Sequence, residues 1–352
     1  MNMVNLKSLR HLYKRYRTVQ TGTISALPVV ILMPHSACNC QCIMCDIWKG
    51  NKNLQQLTEK DVTGLLHTLE TLGTRQVVMS GGEALLNGRF FQLCELLKNR
   101  GMHITLLSTG LSLLKNAQEL VKLTNETIIS LDGDEILHDK IRGIPGAFQK
   151  MKEGVQFLRH FQPAYRITAR TVIHKLNYRK WPEIIDTARN LGLNQVSFLA
   201  ADISSQAFNR EIRWTEERQN EVLPTIHEIA EMQWVLKHLL KKMETAFSSG
   251  FIAESPQKLQ KIIDYYKACH GLMEFPYKKC NAPWVSAVIE ASGDVRPCFF
   301  HKKMGNIKET PFHTILNSEE NIRFRKELNI QENDTCKKCV CSLNLSPMTA
   351  LA

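Results

Sequence analysis

Residues 37 to 45 read "ACNCQCIMC", four cysteines in nine positions. Thiols packed this closely suit a disulfide knot, a zinc site or the ligands of an iron–sulfur cluster. Cys38, Cys42 and Cys45 form a CxxxCxxC series, with Cys40 as an extra thiol. Structural zinc closes its shell with four ligands, and a four-iron cluster usually takes four thiolates. Three evenly placed thiolates would leave one iron bare, able to hold a small molecule. A second group follows late in the chain: Cys280, Cys298, and then "DTCKKCVC" with Cys336, Cys339 and Cys341. On spacing alone, zinc and a four-iron cluster fit that group equally well. The third chemical stretch is "SGGEALL", with Ser80, Gly81, Gly82 and Glu83. Glycines let backbone come close to a ligand, and a carboxylate can pair with an ammonium group.

The elements that must position these residues alternate. Apolar, β-rich runs occur at 28–33, 76–80, 103–108, 127–132, 166–174 and 195–201. Helical patterns lie between them, one opening at Thr58 and Asp61 with capping-box spacing, others at 89–101, 117–123, 147–161 and 181–192. Six such alternations predict parallel strands joined by right-handed crossovers, an α/β partial (β/α)6 barrel of the TIM type. A closed eightfold barrel needs two more units. Four regions result: a basic N-terminal helix over 1–26, the partial barrel over 27–205, a helical connecting segment over 206–278, and a small cysteine-rich domain over 279–345. In the last, "SAVIE" and "DVRPCFF" flank "ASGD" as a predicted hairpin.

The chain has 352 residues, 43% hydrophobic and 22% charged, as in an ordinary globular protein. Its longest early apolar run, "LPVVILMP", is far short of the ~20 residues of a membrane span. Residues 1–26 lack signal-peptide character, which predicts a cytoplasmic location. Reducing cytosol makes disulfides the weakest explanation of the eleven cysteines. The net charge of +11 is concentrated in "LKSLRHLYKRYR", where Leu6, Leu9, Leu12, Tyr13 and Tyr16 recur at helical spacing. That predicts an apolar stripe packed on the main domain, or a surface that attracts an anionic partner.

CxxxCxxC after the first strand, with GGE after the second, resembles the radical S-adenosylmethionine (SAM) superfamily. The resemblance implies that Cys38, Cys42 and Cys45 bind a [4Fe–4S] cluster whose free iron chelates SAM, and that the GGE stretch meets the methionine amino group. A fourth thiolate would block SAM, so Cys40 is read as a spare thiol. It implies cofactor contacts for Met44 near the adenine, for Ser108 and Ser130 near the ribose or carboxylate, and for Arg170 at the carboxylate. Asp132 would cap its loop. In "STG" the family's usual asparagine is Thr109. The implied chemistry is reductive cleavage of SAM to a 5′-deoxyadenosyl radical that takes hydrogen from a substrate C–H bond, driven by a reducing partner such as flavodoxin or ferredoxin.

The second group resembles the twitch domain, a shortened SPASM extension. It implies one auxiliary [4Fe–4S] cluster on Cys280, Cys298, Cys336 and Cys339, with Cys341 as an alternative ligand. Only 37 residues precede Cys38, few for a peptide-recognition domain, which tilts the substrate towards a sugar-like or other small molecule, with a peptide to be matured or epimerised as alternative. Asp202 at the barrel mouth is a candidate substrate contact, and Cys269 a candidate hydrogen-atom donor; a helix cap and a buried thiol are the plainer readings. The rival from another class is a basic zinc protein that contacts nucleic acid.

Overall fold

The computed structural model describes residues 6–208, 210, 212–346 and 349. Six strands appear where the sequence places them: β1 Val29–Leu32, β2 Gln76–Met79, β3 His103–Ser108, β4 Glu126–Ser130, β5 Arg166–Ile173 and β6 Gln195–Ala200. Each pairs in parallel with the next, with helices as crossovers. The helix Glu59–Thr71 opens with the predicted capping box between Thr58 and Asp61.

The predicted hairpin forms as β7 Ser286–Ile289 and β8 Asp294–Arg296, followed by a short β9 Gly305–Asn306. It does not stand apart from the barrel. β7 pairs in parallel with β1, giving one nine-stranded sheet in the order β6-β5-β4-β3-β2-β1-β7-β8-β9. The reason is local: all four residues of β7 are buried, as expected of an inner strand covered on both faces. This pairing sets the strand between Cys280 and Cys298 directly beside the strand that leads into the first cysteine group.

The helices Phe312–Leu316 and Glu319–Glu327 are not among the predicted ones, nor is the helix Glu135–Arg142. Asp134 caps it by accepting from the Leu137 N–H at 3.0 Å, and Gly143, at φ +66°, ends it in the left-handed conformation. The connecting region folds as the helices Glu216–Asn220, Ile226–Lys242, Glu244–Ser248 and Pro256–Cys269. The N-terminal helix spans Leu6–Thr21; Tyr13 and Tyr16 are 63% and 56% exposed, and the side chains of Leu6 and Leu9 lie outside those described. Arg15 donates to the Ser346 and Thr349 carbonyls and Lys14 to that of Thr71, so these cations serve their own chain. No described helix is long and apolar enough to cross a membrane.

Candidate active site

The first cysteine loop follows β1 and is clamped from four sides. Asn51 accepts from the Cys38 N–H at 3.0 Å and donates to the Cys38 carbonyl at 2.9 Å. The Gln41 and Ile43 N–H groups donate to Arg142 and Ile141 at the end of the helix Glu135–Arg142. The Glu83 N–H donates to the Ala37 carbonyl at 2.9 Å, and a Cβ on Gly82 would lie only 2.1 Å from that oxygen. From the fourth side, Trp214 donates to Asp46 at 2.6 Å, while Arg218 and Arg210 reach the Ile43 and Met44 carbonyls. Gly82→Ala is therefore expected to push the cysteine loop away, costing about 3 kcal/mol. Urea midpoints and iron content per chain would register it.

Glu83 lies at the centre of the loop packing. Its carboxylate is fully buried and accepts from Ser108 Oγ, from the Thr109 N–H and hydroxyl at 2.7 Å, and from the Leu85 N–H at 3.2 Å. The carboxylate braces the loop after β3 against the cysteine loop. Burial pushes this carboxyl up, and the four donors pull it back. Ser108 is spent on the same brace, and Thr109 also donates to Asn39 between the cysteines at 3.0 Å.

Arg142 is the residue the sequence reading missed. Its guanidinium lies 2.5 Å from Asp132 Oδ2 and donates to Cys42 Sγ at 3.4 Å, all three groups being buried. Asp132 is thus an ion-pair partner and not the loop cap expected of it. The Cys42 thiol is pulled down, first by the hydrogen bond from Cys40 and then by the Arg142 charge, while Cys40 moves up as the donor. Cys38 and Cys45 are each pushed up to about 12, chiefly by burial. The signal was present as "DEILHDKIRG", a capped helix start and a glycine stop.

Two neutral histidines lie beneath this pair. His138 and His174 are held down to about 3 by burial and then by the Arg142 charge. Between those values and 6.5 the unfolded chain binds protons that the folded chain refuses, so each histidine's contribution to stability falls as pH drops below 6.5. At pH 4.5 the loss is about 2–3 kcal/mol per residue. Glu83 and Asp132, both shifted up, act with the opposite sign. The difference between wild type and His138→Gln in urea midpoint against pH isolates the effect, and a shallower acid limb is expected for the variant.

Other candidates fall as follows. Met44 is buried in the core, and Cys40 beside it. Asp202 is 4% exposed and held by Arg210 at 2.7 Å, by Ser205 and by the Ser204 N–H, so it pins the segment after β6. Arg170 is exposed on β5 and donates to Ser197 at 3.2 Å; Ser130, at the end of β4, is half-buried. Cys269 is half-buried against Tyr265 and pushed up to about 11, chiefly by burial. In the second group His301 shares a 3.3 Å hydrogen bond with Cys336 Sγ, and Cys298 and Cys336 are pushed up to about 11 and 12 by burial and then by other cysteines of the group. Cys341 is exposed, with the charges of Arg170, Asp202, Lys278 and Cys280 around it, which places it between the barrel mouth and the other thiols.

A cleft of about 920 Å³ opens between these regions. Its walls combine the stretch just after Cys45, the segment 206–218, and the β7–β8 turn with Phe299 next to Cys298.

Two family profiles match the chain: "Radical SAM superfamily" over residues 32–188, and "Iron-sulfur cluster-binding domain", the SPASM family, over 280–340. The chain belongs to the radical SAM superfamily. It is an enzyme, and with its SPASM domain it takes [4Fe–4S] clusters and SAM. Relatives of this radical SAM enzyme include an AdoMet-dependent heme synthase of Methanosarcina barkeri, 24% identical over 298 residues, covering 82% of this chain and 81% of the relative. An Fe-coproporphyrin III synthase of the same organism is 24% identical over 344 residues, covering 90% and 82%. In fold, the enzyme is similar to Streptococcus suis SuiB bound to precursor peptide SuiA, with a TM-score of 0.66 at 14% identity, covering 97% and 78%.

The residues present suit these groups. Crowded, buried thiols raise one another in the ligand-free chain, and a cationic cluster reverses that repulsion by taking them as thiolates. Among the described residues no three side chains close on a single ion, and a four-iron cluster spaces its ligands more widely than one ion does.

Proposed function

We propose that Cys38, Cys42 and Cys45 hold the SAM-binding cluster, that Cys280, Cys298, Cys336 and Cys339 hold one auxiliary cluster, and that the substrate is a compact organic molecule entering the cleft between them. The observation that carries this reading is the shared wall: Asp46 and Ile47, directly after Cys45, and Phe299, directly after Cys298, line one space. Bound there, cluster and SAM supply a one-electron cleavage whose radical removes hydrogen from a C–H bond.

The chain's own residues orient and exclude. Asn51, Gly82 and Arg142 fix the cysteine loop, the Glu83 brace fixes the loop beside it, and the Asp202–Arg210 lock closes the mouth against water. A sugar-like substrate finds no support among the two relatives above, which are named for heme and Fe-coproporphyrin III synthesis. A peptide is the second reading, favoured by the peptide-bound SuiB neighbour. The reducing partner in this reading is a low-potential one-electron donor, flavodoxin or ferredoxin; the paired lysines Lys278–Lys279, Lys302–Lys303 and Lys337–Lys338 beside the auxiliary cysteines support an acidic protein in that role.

The test is anaerobic incubation of dithionite-reduced protein with SAM alone. Release of 5′-deoxyadenosine from a brown, iron-containing protein is expected. A colourless zinc protein that releases none would return the chain to the nucleic-acid-binding class.

A further inference from the structure

We propose that the cleft selects a compact organic polycarboxylate, its acid groups gripped by a cationic rim and its apolar body laid on phenylalanine. This rests on the radical SAM reading above and adds the substrate class. Six cations line the cleft against two carboxylates, Asp46 and Glu290. Most of the six are engaged: Lys49 lies 2.9 Å from Asp46, Arg296 lies 2.6 Å from Glu290, Arg210 is bound to Asp202, and Arg218 to Glu221. Lys52 and Arg213 differ. Both are exposed, and among the described residues no carboxylate pairs with either. Both line the cleft from separate stretches of chain, Lys52 after the cysteine loop and Arg213 just before Trp214. Two unspent cations facing one space are a grip for an anion with more than one charge.

The apolar half of the argument is Phe208. It adopts φ +60°, a conformation that side-chain-bearing residues avoid. Its ring centroid lies 5.0 Å from that of Phe299 and 6.0 Å from that of Phe300, and Arg210 sits over its other side at 5.5 Å. The backbone conformation thus holds an aromatic ring at the cleft wall, next to the cysteine Cys298. The volume, about 920 Å³, is in the range of sites that hold an organic ligand.

Coproporphyrin III, with four carboxylates on a flat apolar body, is the probe, read by its fluorescence on cluster-loaded protein under anaerobic conditions without reductant. Its tetramethyl ester and an acidic hexapeptide are the comparison ligands. Saturable binding of the acid is expected, with the ester and the Lys52→Glu/Arg213→Glu double variant each weaker by about tenfold or more. Lys115→Glu, on an outer helix, serves as the control reversal and keeps the wild-type affinity. Equal binding of ester and acid, or an unchanged Kd in the double variant, overturns the proposal. So does binding of the peptide in place of the porphyrin. Failure of the underlying radical SAM reading shows elsewhere, as absence of 5′-deoxyadenosine from enzyme and SAM alone.

Discussion

Cys42→Ala is expected to end SAM cleavage, with 5′-deoxyadenosine release falling by about a thousandfold or more. Iron should drop from about eight to about four atoms per chain, because the auxiliary group keeps its own ligands. Cys40→Ala is the informative companion. Cys40 is 1% exposed, sits in the core and gives Cys42 a hydrogen bond, so its loss should leave iron content unchanged. The outcome that would sink the ligand assignment is a Cys40→Ala protein that loses iron as Cys42→Ala does, since Cys40 would then complete a closed four-thiolate shell. Iron and sulfide analysis of both variants, with product chromatography, decides the matter.

Arg142→Met should be the most damaging change that touches no proposed ligand. The pair Arg142–Asp132 is buried, and removing one partner leaves an uncompensated charge, worth about 3–5 kcal/mol. The same change strips Cys42 of the cation that favours its thiolate. Stability and cluster loading should therefore fall together. Adding Asp132→Leu should recover much of the stability, because a buried pair replaced by apolar residues is often neutral, but should not recover the loading. A double-mutant cycle in urea midpoints, with iron content read on each variant, separates the two effects. If the double variant regains loading as well, Arg142 acts on the fold alone.

The strand–helix alternation was legible because β1 to β6 are short apolar runs bounded by turn residues, and because local signals such as the Thr58–Asp61 box act within a few residues. Short-range chemistry also identified the cysteine groups and GGE. The surroundings of Glu83 were not legible: a carboxylate in sequence looks available, and only the folded chain shows Ser108, Thr109 and Leu85 donating to it. The pairing of Asp202 with Arg210, eight residues on, was hidden in the same way.

By itself the sequence determined which side chains are chemically able to act, where strands and most helices run, and that the first cysteine group carries the CxxxCxxC spacing. Tertiary structure alone decided which of those groups remain free. It paired β7 with β1, it brought residues that follow Cys45 and Cys298 to one cleft, and it brought Arg142 to Cys42 across 100 positions of chain. The division has a physical cause. Periodicity and capping arise from neighbours a few residues apart, whereas burial, ion pairing and desolvation depend on groups that meet only after the chain has closed.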